Sequence, residues 1–228
     1  MTELVRLSGL CLSDRGSGGR LTDVHLRLRT GDACCICTDC LHDGHLLLRG
    51  IATLAFPEAG QLFFRGRPLD FSDRQALLAY KRAVGYVAAD ATLISRATVF
   101  ENLMLMRYYF ENSLTIQMSE QARSLCAVFG LENRLNRYPW QLDPEEARLF
   151  MIIRELAKDP LVLLLERPAD FLRTEPLEAL QGILGRYAGG QAALVLLCGQ
   201  KGPMESMCNK QINIFRGRVS TCAHPRVL

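Results

Sequence analysis

Two uninterrupted aliphatic runs, at residues 161–165 and 192–197, constrain the fold of this chain more than any other feature. A strand with apolar side chains on both faces must be covered on both faces, as parallel strands are in α/β domains. Apolar residues at helical spacing surround the two runs, in segments 100–110, 119–129, 144–156 and 175–187. We therefore predict an α/β domain with buried parallel strands.

The rest of the chain supplies further strands. Alternating segments at 3–12, 21–28 and 61–65 predict strands near the amino terminus, and the small-residue run 33–37 predicts another buried strand. Residues 84–88 predict a short strand, residues 46–54 predict a helix, and 212–215 with 218–221 predict a terminal hairpin. We expect one domain over 1–228, with a helical subdomain at about 95–155.

Composition excludes several classes of protein. The chain has 228 residues, of which 49% are hydrophobic and 22% charged, so we expect a globular domain. A net charge of +3 gives no reason to expect a nucleic-acid partner. No apolar run is long enough for a membrane helix, and no secretory leader opens the sequence. The nine cysteines are therefore interpreted as reduced thiols in the cytosol.

Eight short strings occur in the order and at the spacing found in ATP-binding-cassette (ABC) transporter ATPase subunits, which this chain resembles. They are GD (31–32), LLRGI (47–51), PEAG (57–60), VGYV (84–87), TVFENL (98–103), YPWQL (138–142), RELAKDP (154–160) and LLLERP (163–168). The resemblance implies a P-loop NTPase-like nucleotide-binding domain, with an antiparallel β-subdomain and an α-helical subdomain. It also implies ATP and Mg²⁺ as ligands, a membrane permease as partner, and a dimer.

The stretch at the P-loop position departs from G-x-x-x-x-G-K-[ST], in which backbone N–H groups and the lysine hold phosphate and the hydroxyl binds Mg²⁺. Here the two glycine positions are Thr38 and Asp43, the lysine position is Gly44 and the hydroxyl position is His45. Asp39 and Asp43 add negative charge where a triphosphate would lie. We therefore predict that this loop does not bind ATP.

The other positions that the resemblance assigns are replaced as well. The glutamine of the Q-loop is Ala89, the general base after the Walker B strand is Arg167, the D-loop aspartate is Arg173, and the switch histidine is Gly199. The LSGGQ signature is replaced by Leu142, Asp143, Pro144, Glu145 and Glu146.

Two acidic features in these positions have simple structural interpretations. We expect Glu145 and Glu146 to be solvated residues in the first turn of a helix capped by Asp143, and to oppose a phosphate anion. Glu166 closes the Walker B strand, where the family binds Mg²⁺. The interpretation that we favour is a strand-end carboxylate paired with Arg167 or Arg154.

The leading hypothesis is a catalytically inactive ABC subunit without catalytic residues of its own, placed by a permease partner on the cytoplasmic face of the membrane. It would act as a structural or regulatory subunit, paired with itself or with a second ATPase subunit, and ATP and Mg²⁺ would bind only at that partner or at an atypical site. The docking surface would use Met104, Met106, Tyr108 and Tyr109. Segments 76–82 and 92–102 are loosely similar to the ATPase subunits of bacterial lipid-trafficking (MCE-type) transporters.

Two alternatives remain open. The first is an active or partly active transporter ATPase with atypical site residues, in which Glu166 holds Mg²⁺. The second is a thiol- or metal-sensing module in which Cys37, Cys40, His42 and His45 bind zinc. Placement of the neighbouring cysteines on a buried strand disfavours the second alternative, because cysteine is also an ordinary small core residue.

Overall fold

The computed structural model describes residues 1–14, 16, 18–111, 117–198 and 204–223. Its strands are β1 (Glu3–Ser13), β2 (Arg20–Arg29), β3 (Ala33–Thr38), β4 (Ala59–Phe64), β5 (Arg67–Pro68), β6 (Val84–Val87), β7 (Val162–Glu166), β8 (Ala193–Leu197), β9 (Lys210–Phe215) and β10 (Arg218–Ala223). Its α-helices are α1 (Leu41–Ile51), α2 (Arg74–Ala83), α3 (Val99–Glu111), α4 (Glu120–Val128), α5 (Pro144–Leu156) and α6 (Thr174–Ala188).

The strands form two sheets. One is antiparallel, in the order β2-β1-β4-β5, and the other has the order β10-β9-β3-β8-β7-β6. In the second sheet every neighbouring pair is parallel except β9 with β10. The two aliphatic runs fall on the adjacent strands β7 and β8, in which every residue is buried. The prediction of buried parallel strands in an α/β domain is confirmed.

The mixed sheet separates two cores. Because side chains alternate along a strand, Cys34 and Ile36 of β3 face the core shared with the antiparallel sheet, whereas Ala33 and Cys35 face the core shared with the helices. Both cysteines are 1% exposed. They therefore serve as small apolar core residues, as their position on a buried strand predicts.

Helices α3 and α4 pack against α5, whose bounds agree with the predicted segment 144–156. The side chain of Asp143 caps α5 by accepting a hydrogen bond from the backbone N–H of Glu146 at 2.8 Å, and Pro144 occupies the first turn. Helix α1 begins at Leu41, five residues before the predicted start, and α2 was not predicted. Within the described residues, no helix is both long and apolar enough to cross a membrane.

Candidate functional site

The carboxyl ends of β3, β6, β7 and β8 meet at one edge of the mixed sheet, the edge at which α/β proteins usually bind ligands. Four features lie there: the connection from β3 to α1, the residues after β6, Glu166 at the end of β7, and Leu197 at the end of β8. The topology thus brings Thr38–His45, Ala89 and Glu166 to one place.

The connection between β3 and α1 consists of Asp39 and Cys40 alone. The hydroxyl of Thr38 donates to the carbonyl of Cys40 at 2.7 Å and accepts from its N–H at 3.1 Å. The N–H groups of Asp43 and Gly44 donate to the same carbonyl, at 3.1 and 3.4 Å. Segment 41–43, which would be loop in a P-loop, is therefore the first turn of the helix, and these amides are used inside it.

Gly44, at the lysine position, faces the side chain of Leu197. A Cβ atom at Gly44 would lie 2.7 Å from Cδ1 of Leu197, which is itself 2% exposed. Any side chain longer than hydrogen, lysine included, would require Leu197 to move. The absence of a side chain at residue 44 is therefore part of how α1 packs against β8.

Glu166 is 2% exposed, and its carboxylate accepts three hydrogen bonds from within the chain. Oε1 accepts from Nδ1 of His45 at 2.8 Å and from the hydroxyl of Tyr86 at 2.6 Å. Oε2 accepts from the backbone N–H of Ala89 at 3.0 Å. Burial, together with the bond to Glu166, raises the pKa of Tyr86, so the phenol remains a donor.

The predicted pairing of Glu166 with Arg167 or Arg154 is wrong. Arg167 pairs with Asp170, and Arg154 lies 3.2 Å from Glu155. The backbone of Arg167 turns away from the strand at φ 46°, while its N–H donates to the carbonyl of Leu197 at 2.7 Å. The chain direction after Glu166 therefore carries the arginine side chain away from the carboxylate beside it.

Arg148, which belongs to none of the motif positions, contacts the backbone on both sides of the site. It is 2% exposed, and burial lowers its pKa. Its guanidinium donates to the backbone carbonyl of Ala88 at 2.6 Å and to the backbone carbonyl of Glu166. An arginine on α5 thus ties the end of β6 to the end of β7. The sequence signal for this role is a basic residue about one turn after the start of a capped helix, on a face that is otherwise apolar.

The signature segment also differs from its predicted state, because Glu145 and Glu146 are not solvated. Glu145 is 8% exposed and accepts hydrogen bonds from the backbone N–H of Arg173 at 2.6 Å and from its Nε at 2.7 Å. The side-chain bond from Arg173 holds the pKa of Glu145 below its ordinary value. Glu146 lies 2.6 Å from Nε of Arg134. Both carboxylates are therefore paired within the chain, and the expectation that they are solvated is wrong. Their effect on a bound anion stays a prediction.

The four proposed metal ligands are not assembled into a centre. His45 is bonded to Glu166, while His42 is exposed on the first turn of α1. Across the part of the chain that the structure describes, no group of three or more His, Cys, Asp or Glu side chains is placed to hold a metal ion. The predicted switch position Gly199 lies outside the described residues.

The predicted docking residues divide between core and surface. Met104 is 1% exposed, Met106 and Tyr108 are half-buried, and Tyr109 is 56% exposed, with its hydroxyl 3.3 Å from Arg74. Met104 and Met106 line an open recess of about 240 Å³. Its charged lining residues are Arg82, Arg107, Glu111, Arg154 and Lys158.

The two sheets, the helices packed on them and the site at the carboxyl ends of the strands define the nucleotide-binding domain of ABC transporters. The family model described as "ABC transporter" matches residues 46–170, and the chain belongs to this family. The predicted fold is thereby confirmed.

Individual relatives are more distant. The chain is 26% identical to the methionine import ATP-binding protein MetN of Mannheimia succiniciproducens, over 87% of this chain and 58% of MetN. It is 25% identical to the lipoprotein-releasing system ATP-binding protein LolD 1 of Chlorobium luteolum, over 77% of each chain. It therefore spans less than two thirds of the MetN relative.

Among solved structures, the chain is similar to the ATP-binding cassette MJ0796, a dimer in a post-hydrolysis state bound to ADP and Pi. The TM-score is 0.81 with 21% identity, over 96% of this chain and 98% of that one. This likeness shows the fold. The relatives support the ABC family and not the narrower likeness to lipid-trafficking transporters.

Proposed function

We propose that this chain is a non-hydrolysing ABC subunit, in which the residues at the Mg²⁺ and phosphate positions bind one another. The observation that carries the proposal is the bond from His45 to Glu166, because it joins the positions that hold Mg²⁺ in the family. A carboxylate that already accepts from His45, Tyr86 and Ala89 has little capacity left for a metal-bound water.

The residues present do not fit Mg²⁺ and a triphosphate. A lysine at residue 44 would collide with Leu197, and the amides of Asp43 and Gly44 already donate inside α1. Asp43 is 7% exposed in the first turn of that helix. Its negative charge would repel a triphosphate bound at this position. We therefore assign neither a phosphate contact nor a hydrolytic step to this chain.

As partner we propose a membrane permease, bound at the cytoplasmic face of the membrane through the region around Met106, Tyr108 and Tyr109. Tyr109 is exposed, and the lining of the neighbouring recess combines apolar side chains with four cationic residues and one acidic residue, Glu111. An amphipathic segment with acidic residues would complement both properties. Replacing Tyr109 with a photocrosslinking residue should yield a permease adduct, whereas the same residue at exposed position 178 on α6 should not.

Nucleotide binding tests the non-hydrolysing proposal directly. Titration of the purified chain with ATP and Mg²⁺ should show no binding at concentrations that saturate an intact cassette. The steady hydrolysis rate should be the same for the wild type, Glu166→Gln and the matched surface variant Glu178→Gln. Micromolar binding of ATP, or hydrolysis lost only in Glu166→Gln, would refute the proposal.

The second candidate is an active ATPase with atypical site residues. It is favoured by the retention of a buried carboxylate at the end of β7, in a fold shared with cassettes that bind ADP and Pi. Activity would require the bond between His45 and Glu166 to open, so that the carboxylate could reach a metal. The hydrolysis comparison above distinguishes the two candidates. Whether the chain pairs with itself or with an intact ATPase is decided by which proteins co-purify with it.

A further inference from the structure

A recess of about 350 Å³ lies between the edge strands of the two sheets, away from the nucleotide edge. Strand β2 is the edge of the antiparallel sheet, and β10 is the edge of the mixed sheet. They approach each other where the N–H of Thr22 donates to the carbonyl of Gly217 at 3.0 Å. Farther along, the recess is lined by Thr221 of β10 and by four residues of β2: His25, Leu26, Arg27 and Arg29.

The lining of this recess is strongly cationic. Arg6, Arg27, Arg29 and Lys210 contribute to it together with His25, and no acidic residue does. Three carboxylates contact this lining. Glu3 is 3.2 Å from Arg6 and 3.9 Å from Arg27, and Asp32 pairs with Lys210 at 2.6 Å. The exposed Asp23 lies 2.9 Å from His25. Three of the four arginine and lysine side chains thus share two carboxylates, Glu3 and Asp32. Among the described residues, the guanidinium of Arg29 has no acidic partner.

Several of these cations are held in place before any ligand binds. The guanidinium carbon of Arg6 lies 3.5 Å from the ring centroid of Phe63. Asp32 is fully buried, and its other carboxylate oxygen accepts a hydrogen bond from the backbone N–H of Arg29 at 2.8 Å. The carboxylate that pairs with Lys210 is therefore held in a fixed position inside the protein. Arg27 and Lys210 remain accessible, with 62% and 34% of their side chains exposed. Preorganised cations lose little conformational freedom on binding an anion.

We propose that this recess binds a phosphate group carrying more than one negative charge. Guanidinium groups match phosphate oxygens with paired N–H donors, and the hydroxyls of Ser8 and Thr221 add donors at the same lining. The recess is distinct from the candidate nucleotide site. Lys210 lies opposite Cys34 in the pairing of β9 with β3, near the amino end of β3, whereas Glu166 lies at the carboxyl end of β7. The phosphate belongs either to a small soluble compound or to a phospholipid headgroup.

The test uses two probes with the full chain at low ionic strength. Inorganic pyrophosphate is titrated calorimetrically, and vesicles of phosphatidylcholine with and without phosphatidic acid are used for co-sedimentation. Arg27→Gln and Arg29→Gln should each weaken binding about tenfold or more, the effect of losing a charge-assisted hydrogen bond. Arg20→Gln is the matched control, because it removes the same charge from the same strand but does not line the recess.

We expect pyrophosphate to bind the wild type and Arg20→Gln alike, which supports a soluble phosphate compound. Binding only to vesicles that contain phosphatidic acid, with the same dependence on Arg27 and Arg29, supports a headgroup. Failure of both probes to bind, or equal losses in all three variants, would overturn the proposal. Thermal unfolding of each variant identifies any loss caused by misfolding, and in that case the correctly folded one of Arg27→Gln and Arg29→Gln decides the test.

Discussion

The imidazole of His45 lies 2.8 Å from the buried carboxylate of Glu166, across 121 residues of sequence. Residue 45 belongs to the first turns of α1, and residue 166 is the last of β7. The resemblance to ABC ATPases assigns both positions to Mg²⁺ binding, whereas here the two side chains are in direct contact. An internal hydrogen bond thus joins α1 to the end of β7.

Replacing His45 with alanine should lower the free energy of unfolding by about 1–2 kcal/mol, because a buried carboxylate loses one of its donors. His42→Ala, one turn earlier in the same helix and exposed, should change it by less than about 0.5 kcal/mol. Urea unfolding at neutral pH measures both. Equal stabilities of the two variants would show that the contact contributes nothing to folding.

Gly44→Ala should destabilise the chain by about 1 kcal/mol, because overpacking against Leu197 outweighs the better helix propensity of alanine. Gly185→Ala in α6 is the matched control. A Cβ atom there meets nothing within 4 Å, so the same substitution should stabilise by roughly 0.5–1 kcal/mol. Thermal and urea unfolding of the pair should therefore give opposite signs, and a gain in both variants would contradict the tight packing at residue 44.

Glu145→Gln should lower the melting temperature at neutral pH by no more than about 2–4 °C, since Arg173 is largely exposed and the pair is screened by water. The folded-state pKa of Glu145 is below its ordinary value of 4.5, so the carboxylate stabilises the fold above that pH. This stabilisation is lost as the pH falls through the folded-state pKa. The difference between wild type and variant should therefore shrink on acidification below 4.5.

Glu178→Gln, at an exposed position of α6, provides the control for the loss of one negative charge. Its melting curve should follow that of the wild type from neutral to acidic pH. A pH-independent difference for Glu145→Gln would mean that packing, and not the ion pair, holds residue 145.

Thiol labelling should divide the cysteines by environment. Burial and the neighbouring Asp32 raise the pKa of Cys34 to about 12, and burial raises that of Cys126 to about 11. At pH 8 both thiols are protonated and inaccessible, so alkylation followed by mass spectrometry should find them unmodified in the native chain and modified in urea. The exposed Cys222 should react in both conditions. Rapid native labelling of Cys34 would contradict its place in the core.

Much of the fold could be predicted because its signals are local. Aliphatic runs in β7 and β8 require burial on both faces, and Asp143 followed by Pro144 specifies the start of α5 within a few residues of sequence. The start of α1 was placed too late, because the polar first turn, with Asp43, resembles a loop until it packs against the end of β8. Helix α2 is polar on average and fully buries only Tyr80, so few apolar residues distinguish it from a loop in the sequence.

The sequence by itself determined which chemical groups stand at the positions that the resemblance assigns to the family's motifs. Residues 44 and 45 provide neither a lysine nor a hydroxyl, and residue 166 provides a carboxylate. Only the tertiary structure decided which groups those residues bind. Glu166 could be assigned from sequence to an adjacent arginine, yet its partners are His45, Tyr86 and Ala89, which three other parts of the fold deliver. Such contacts depend on strand register and on the direction of the chain after each strand, and neither is encoded in residues that are neighbours in sequence.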